Sequence, residues 1–158
     1  MKKLTALISG LAITAAFGSS AFATDVYVVN FRNAKDVKSQ QLDGQLASAL
    51  AISGVNAEEV VIDTTTAAKW EKGAHEAFDR DIVPVFNQWV GLPGFAAVVD
   101  AKSKRVIGCV NSTFSANEMA REIRQMASKA QGSAYLSNAS VSSKTTRCPA
   151  AHNVDHGG

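Results

Sequence analysis

Cys109 and Cys148 are the most reactive side chains of this 158-residue chain, and their spacing limits the chemistry available to them. Cys109 lies inside a β-branched run and Cys148 near the C-terminus, so the chain contains no Cys-x-x-Cys pair. Two cysteines allow only one intramolecular pairing. In an oxidising compartment they most simply form a structural disulfide, and the alternatives are two unpaired thiols or an intermolecular bond.

The C-terminal segment also contains residue types that bind zinc or copper. Cys148 is followed by three of them: His152, Asp155 and His156. Two histidines four residues apart hold a metal well on a helix, but Pro149 and the terminal glycines disfavour a helix here. We therefore predict no metal site and no cofactor.

Other catalytic patterns are missing from the sequence. It has no Gly-x-Ser-x-Gly, no His-Glu-x-x-His and no phosphate-binding glycine loop. His75 lies in a segment of mixed charge and is more simply a surface residue than a catalytic base. The sequence therefore predicts no catalytic residue, and we expect the protein not to be an enzyme.

The first 23 residues have the three parts of an export signal. Lys2 and Lys3 form the basic region, Leu4–Phe17 the apolar region, and Ala21-Phe22-Ala23 the small-residue cleavage site. We predict cleavage before Thr24 and a periplasmic location in a Gram-negative bacterium. No later apolar run approaches the ~20 residues that span a bilayer, so we expect no membrane span after cleavage.

The charge balance of the exported part excludes one class of partner. The chain has 16 Lys and Arg against 14 Asp and Glu, and the surplus consists of Lys2 and Lys3. The remaining residues are neutral overall, which gives no electrostatic reason to expect direct binding of nucleic acid.

Alternating strands and helices predict an α/β fold with a mixed sheet. The order is β-α-β-α-β-β-α, in which the strand–helix–strand unit implies a parallel pair and the short connection near the end implies an antiparallel hairpin. β-Branched and aromatic runs place the strands at Asp25–Phe31, Glu59–Asp63, Phe95–Asp100 and Arg105–Asn111.

Apolar residues at helical spacing place the helices between these strands. The first helix is predicted to have Asn33 as its cap, Asp36 in its first turn, Val37 on its apolar face and Gly54 at its end. A capping box from Ser115 to Glu118 begins the last helix, which runs to Ala130. The second helix is predicted to end before Pro84, with a further turn of helix beyond it, and to bury Trp70, Ala74, Ala77, Phe78 and Ile82.

The composition changes to Ser, Thr, Ala, Asn and Gly from Gln131 onward. The sequence thus predicts three parts: an export signal over residues 1–23, one domain over residues 24–130, and a tail over residues 131–158 that wraps the domain loosely or stays mobile.

The element order and the turn Gly91-Leu92-Pro93-Gly94-Phe95 resemble the thioredoxin-like fold. In that family a cis-proline precedes the third core strand and borders the active site, which implies a cis Leu92–Pro93 bond. The family's Cys-x-x-Cys would fall within Asn30–Val37, which contains neither cysteine nor serine. The resemblance therefore implies the scaffold without its redox chemistry.

Thioredoxin-like proteins bind extended peptides in a groove between the proline turn and the start of the first helix. Transferred to this chain, the resemblance implies a partner groove between Gly91–Gly94 and Arg32–Asp36. Arg32 and Lys35 would supply its charge, and Trp89 and Leu92 its apolar anchors.

A narrower resemblance is to small periplasmic proteins encoded with bacterial conjugation systems and integrating conjugative elements. The shared features are the export signal, the opening strand, Trp89-Val90-Gly91, the run from Pro93 to Asp100, and Val106-Ile107-Gly108. The resemblance implies a non-catalytic interaction module in a conjugative, type IV secretion-like apparatus, with periplasmic or envelope proteins as partners. The alternative is a thiol–disulfide or redox-responsive protein that uses Cys109 and Cys148.

Overall fold

The structure is a computed structural model that describes residues 23–132 and 147–151. The predicted export signal up to residue 22, most of the tail, and His152, Asp155 and His156 lie outside the described residues. The described residues form four strands and four helices, in this order: β1 (Val26–Arg32), α1 (Val37–Ser53), β2 (Ala57–Asp63), α2 (Ala67–Asp79), α3 (Val83–Trp89), β3 (Phe95–Asp100), β4 (Val106–Asn111) and α4 (Ala116–Ala130).

The four strands form one mixed sheet in the order β2-β1-β3-β4. β1 pairs with β2 in parallel and with β3 in antiparallel, for example Phe31 opposite Phe95. β3 and β4 form an antiparallel hairpin, because the connection between them is too short for a crossover. The predicted α/β class, mixed sheet and terminal hairpin are confirmed.

β1 is buried on both faces of the sheet and separates two apolar clusters, since successive strand residues point in opposite directions. Val26 and Val28 pack in the first core cluster with Leu42 and Leu46 of α1 and with Ile123 of α4. The second core cluster, on the other face, contains Val29, Phe31, Ile82, Trp89 and Phe95. No helix within the described residues is long and apolar enough to cross a membrane.

α1 begins at a different residue from the one the sequence predicts. Asp36 is the N-cap, with extended backbone and a carboxylate oxygen that accepts from the Ser39 N–H at 2.8 Å. Asn33 belongs to the preceding turn, where its carbonyl accepts from the Asp36 N–H. Val37 therefore follows the cap directly and is 74% exposed instead of buried. Gly54 ends α1 as predicted, with the positive φ that favours glycine.

The predicted burial of Trp70 and Phe78 on α2 is wrong, whereas that of Ile82, which lies just beyond the helix, is confirmed. Phe78 is 73% exposed and Trp70 45% exposed, whereas Gly73 and Ala77 are buried. A Cβ on Gly73 would lie 3.3 Å from the Ile62 Cα, so small residues let α2 pack closely against β2 and the bulky residues flank that contact. α2 ends at Asp79, and Pro84 lies in the first turn of α3.

The capping box of α4 is present as predicted. The Ser115 hydroxyl accepts from the Glu118 N–H, and the Glu118 carboxylate accepts from the Ser115 N–H at 2.8 Å. This fixes the start of a helix that buries Met119, Ile123 and Met126 in the first core cluster.

Replacing Ser115 with alanine should lower the free energy of unfolding by about 1 kcal/mol, because the substitution removes the side-chain acceptor at the helix start. Urea denaturation followed by circular dichroism measures the change. Ser48→Ala, on the exposed face of α1, is the matched control and should cost nothing measurable. Equal stability of Ser115→Ala and wild type would contradict the role of the capping box.

Candidate functional site

A groove of about 320 Å³ lies beside Pro93, where β3 begins. Its walls come from four parts of the chain that are distant in sequence: Lys38 of α1, Pro93–Phe95, Cys109 with Asn111–Thr113, and Arg147–Pro149. The structure thus brings together the proline turn, the first turn of α1 and the described part of the tail.

Gly94 allows the proline turn to approach α1. Its N–H donates to the Phe31 carbonyl at 2.8 Å, and its φ is +94°. A Cβ at this position would lie 2.9 Å from the Lys38 Cβ and 3.2 Å from an Asp36 carboxylate oxygen. Both the positive φ and the close approach require glycine here.

The predicted cis Leu92–Pro93 bond is wrong, because no cis peptide bond occurs in the part of the chain that the structure describes. An X–Pro bond prefers the trans form by about 0.5–1 kcal/mol unless its surroundings select cis. Gly91 and Gly94 both have positive φ and turn the chain into β3 with Pro93 in the trans form.

Trp89 and Leu92, the predicted apolar anchors, belong to the second core cluster and do not line the groove. Trp89 is 2% exposed and packs edge-on against Phe31 and Phe95, with ring centroids 6.0 and 5.7 Å away. Its indole N–H donates to the Pro149 carbonyl at 3.0 Å. Trp89 therefore binds the chain's own tail and is not open to a partner in this structure.

Arg32 and Lys35, the predicted charges, also lie outside the groove walls. Arg32 shares a sheet face with Asn30 and forms ion pairs with Asp43 at 2.9 Å and Asp63 at 2.8 Å. Lys35 is exposed in the turn before α1. The strand alternation that buries Phe31 against Trp89 turns Arg32 to the opposite face of the sheet, which is why Arg32 does not line this groove.

The positive charge of the groove comes from Lys38 and Arg147, which the sequence analysis missed. Both are exposed groove residues, and neither forms an ion pair with another described residue. Locating the helix cap at Asp36 would have placed Lys38 in the first turn of α1. Arg147 had no sequence signal other than its position next to Cys148.

The disulfide between Cys109 and Cys148 is present, with a Cα–Cα distance of 4.9 Å. The predicted pairing is confirmed, and neither cysteine is free. Cys109 is 3% exposed within the second core cluster, and Cys148 packs against that cluster at half burial. The disulfide therefore holds the described part of the tail against β4.

Reducing this disulfide should lower the free energy of unfolding by roughly 2–4 kcal/mol, since the bond closes a loop between residues 39 positions apart. Thermal unfolding with and without a dithiol measures the effect. Cys109→Ala/Cys148→Ala is the control, because its melting temperature should not respond to the dithiol. A wild-type melting temperature that is the same in both conditions would contradict the stabilising role.

Asp63 is the centre of a charge cluster at the end of β2, on the α1 side of the sheet. Its carboxylate pairs with Arg32 and with Lys69 at 3.1 Å, and accepts from the hydroxyl and the N–H of Thr65. Burial raises the pKa of Asp63, but these hydrogen bonds and the Arg32 charge together hold it below the usual 3.8. The cluster fixes the ends of the two parallel strands and occupies the side chain of Arg32.

The lowered pKa of Asp63 predicts a pH-dependent contribution to stability. A depressed carboxyl pKa stabilises the folded state above the unfolded-state pKa near 3.8, and this stability is lost as the pH falls below that value. Asp63→Asn should therefore be less stable than wild type near neutral pH, and the difference should shrink in acid. Melting temperatures from about pH 7 to about pH 3 test this.

Asp79→Asn, at an exposed position at the end of α2, controls for the loss of one carboxylate. A difference between wild type and Asp63→Asn that stays constant over the whole pH range would show that the Asp63 contacts do not depend on its ionisation.

Comparison of the chain with protein-family models, curated proteins and solved structures finds no match. Within the described residues no group of His, Cys, Asp and Glu is arranged to hold a metal ion. The groove combines two cations, a turn and an exposed edge of the disulfide, an arrangement suited to binding an extended segment of another chain.

Proposed function

We propose that this chain is an exported, non-catalytic protein-interaction module with a thioredoxin-like scaffold. The parallel β1–β2 pair, the terminal hairpin and the proline turn next to the start of α1 support this scaffold. The position that would carry a reactive thiol in a redox member of the family carries Asp36, whose carboxylate caps α1. A helix start occupied by a capping carboxylate favours binding over thiol chemistry.

The single observation that carries the binding proposal is the groove beside Pro93 with Lys38 and Arg147 on its walls. Both cations lie at the groove without a partner among the described residues, so they favour a segment that brings an acidic side chain. An extended segment fits because the groove is bounded by β4, the proline turn and Arg147–Pro149.

We further propose that the partner belongs to a conjugative DNA-transfer apparatus in the periplasm or envelope. The support is the resemblance of Trp89-Val90-Gly91, Pro93 to Asp100 and Val106-Ile107-Gly108 to proteins encoded with such systems. Of these residues, only Pro93–Phe95, in the turn and at the start of β3, line the groove. The family proposal and the binding proposal thus share the proline turn and the start of β3.

The second candidate function is a thiol–disulfide or redox-responsive protein that uses Cys109 and Cys148. One observation favours it: the disulfide lies on the groove wall, with Cys148 half-exposed. If this function is correct, the purified protein should catalyse reduction of insulin by dithiothreitol faster than Cys109→Ala/Cys148→Ala does. The interaction-module proposal expects equal rates.

A charge reversal at Lys38 tests the binding proposal. Donor cells that lack the gene for this protein would produce a version in which a photoreactive amino acid replaces Ser112, a half-buried groove residue. Lys38→Glu should reduce cross-linking to the partner by at least about fivefold and lower DNA-transfer frequency, because it replaces attraction with repulsion in the groove. The circular dichroism spectrum should not change.

Lys35→Glu is the matched control, since it makes the same charge change three residues away outside the groove walls. It should retain cross-linking and transfer. If both variants behaved as wild type, the groove would not be the binding surface. If deletion of the whole protein left transfer unchanged, the conjugation proposal would be wrong.

A further inference from the structure

Residues 147–151, here called the strap, lie against the sheet far from the end of α4 in sequence. Two links join the strap to the domain: the Cys109–Cys148 bond and the hydrogen bond from the Trp89 indole to the Pro149 carbonyl. Cys148 also packs against the second core cluster. The rest of the strap is exposed.

The strap forms one wall of the groove. Arg147, Cys148 and Pro149 line it opposite Lys38 and the proline turn. One of the two groove cations is therefore on the strap, and the groove has its present shape only while the strap is docked.

We propose that the disulfide is a redox switch for this groove: reduction releases the strap and takes apart the binding site, and oxidation assembles it. Release of the strap is a property of the protein by itself. The effect of this release on a partner rests on the proposed function. An assembled groove would then bind an acidic extended segment, whereas the reduced protein, which lacks the Arg147 wall, would release it.

The strap cannot stay docked by its remaining contacts. One neutral hydrogen bond favours docking of the strap by about tenfold or less, and the half-buried side chain of Cys148 adds about tenfold at most. Closing a loop between residues 39 positions apart disfavours it by roughly several hundredfold. The covalent bond therefore decides whether the strap is docked.

The switching chemistry is thiol–disulfide exchange with a dithiol reductant. A thiolate of the reductant attacks the sulfur of Cys148, because Cys148 is a half-exposed residue whereas Cys109 is buried in the core. The Cys109–Cys148 bond breaks, and Cys109 leaves as a thiolate that takes up a proton. The second thiol of the reductant then displaces Cys148 as a thiol. The reductant becomes a disulfide, and two electrons pass to the protein.

Hydrogen exchange on the purified mature protein tests strap release. After addition of dithiothreitol, the Trp89 indole N–H should exchange at least about tenfold faster, since its acceptor, the Pro149 carbonyl, is lost. The amides of β1 and β3 should stay protected. An unchanged exchange rate of the Trp89 indole N–H in the reduced protein, or loss of protection throughout the sheet, would overturn the switch.

The cross-linking assay at Ser112 tests the effect on binding. Cys109→Ala/Cys148→Ala should lose capture to the extent that Lys38→Glu does. Arg147→Glu, which keeps the disulfide and changes an exposed side chain, should also lose capture. Strap release in the purified protein with full capture by the double cysteine variant would overturn the switch and leave the interaction proposal intact. If Lys38→Glu cross-linked the partner as well as wild type does, the interaction proposal would be wrong. Hydrogen exchange would still measure strap release independently.

Discussion

The burial of β1 on both faces is the constraint on which the other elements depend. Val26 and Val28 require α1 and α4 on one side of the sheet, and Val29 and Phe31 require the Trp89 cluster on the other. One edge of β1 pairs with the parallel strand β2, and the other pairs with the antiparallel strand β3. A strand in this position cannot shift by one residue without exchanging its two faces, so the register of the sheet is fixed by its side chains.

The alternation of side chains between the two faces of β1 also separates the two polar regions of the protein. Arg32 turns toward α1 and is held by Asp43 and Asp63, which makes it part of the scaffold. The backbone of the neighbouring Phe31 accepts a hydrogen bond from Gly94 and so positions the proline turn next to the start of α1. The groove therefore depends on β1 through its backbone and not through the charged side chain at its end.

The disulfide contributes both to the stability of the domain and to the shape of the groove. It stabilises the domain by closing a long loop, and it supplies a wall and a cation to the groove through the residues next to Cys148. A bond with both effects makes stability and site geometry depend on the same redox state. The buried indole of Trp89 strengthens this coupling, since its N–H has the Pro149 carbonyl as its acceptor.

The sequence alone determined the features that depend on local patterns. Strand alternation, the Ser115–Glu118 capping box and Gly54 predicted the elements and their order, because each is decided by residues within a few positions of one another. The cysteine count and the export signal predicted the disulfide. The sequence could not place Arg32, Trp89, Lys38 and Arg147 relative to the groove, nor give the isomer of Pro93. Those properties were decided by the tertiary structure, because they depend on which sheet face meets which helix and on how residues distant in the chain pack together.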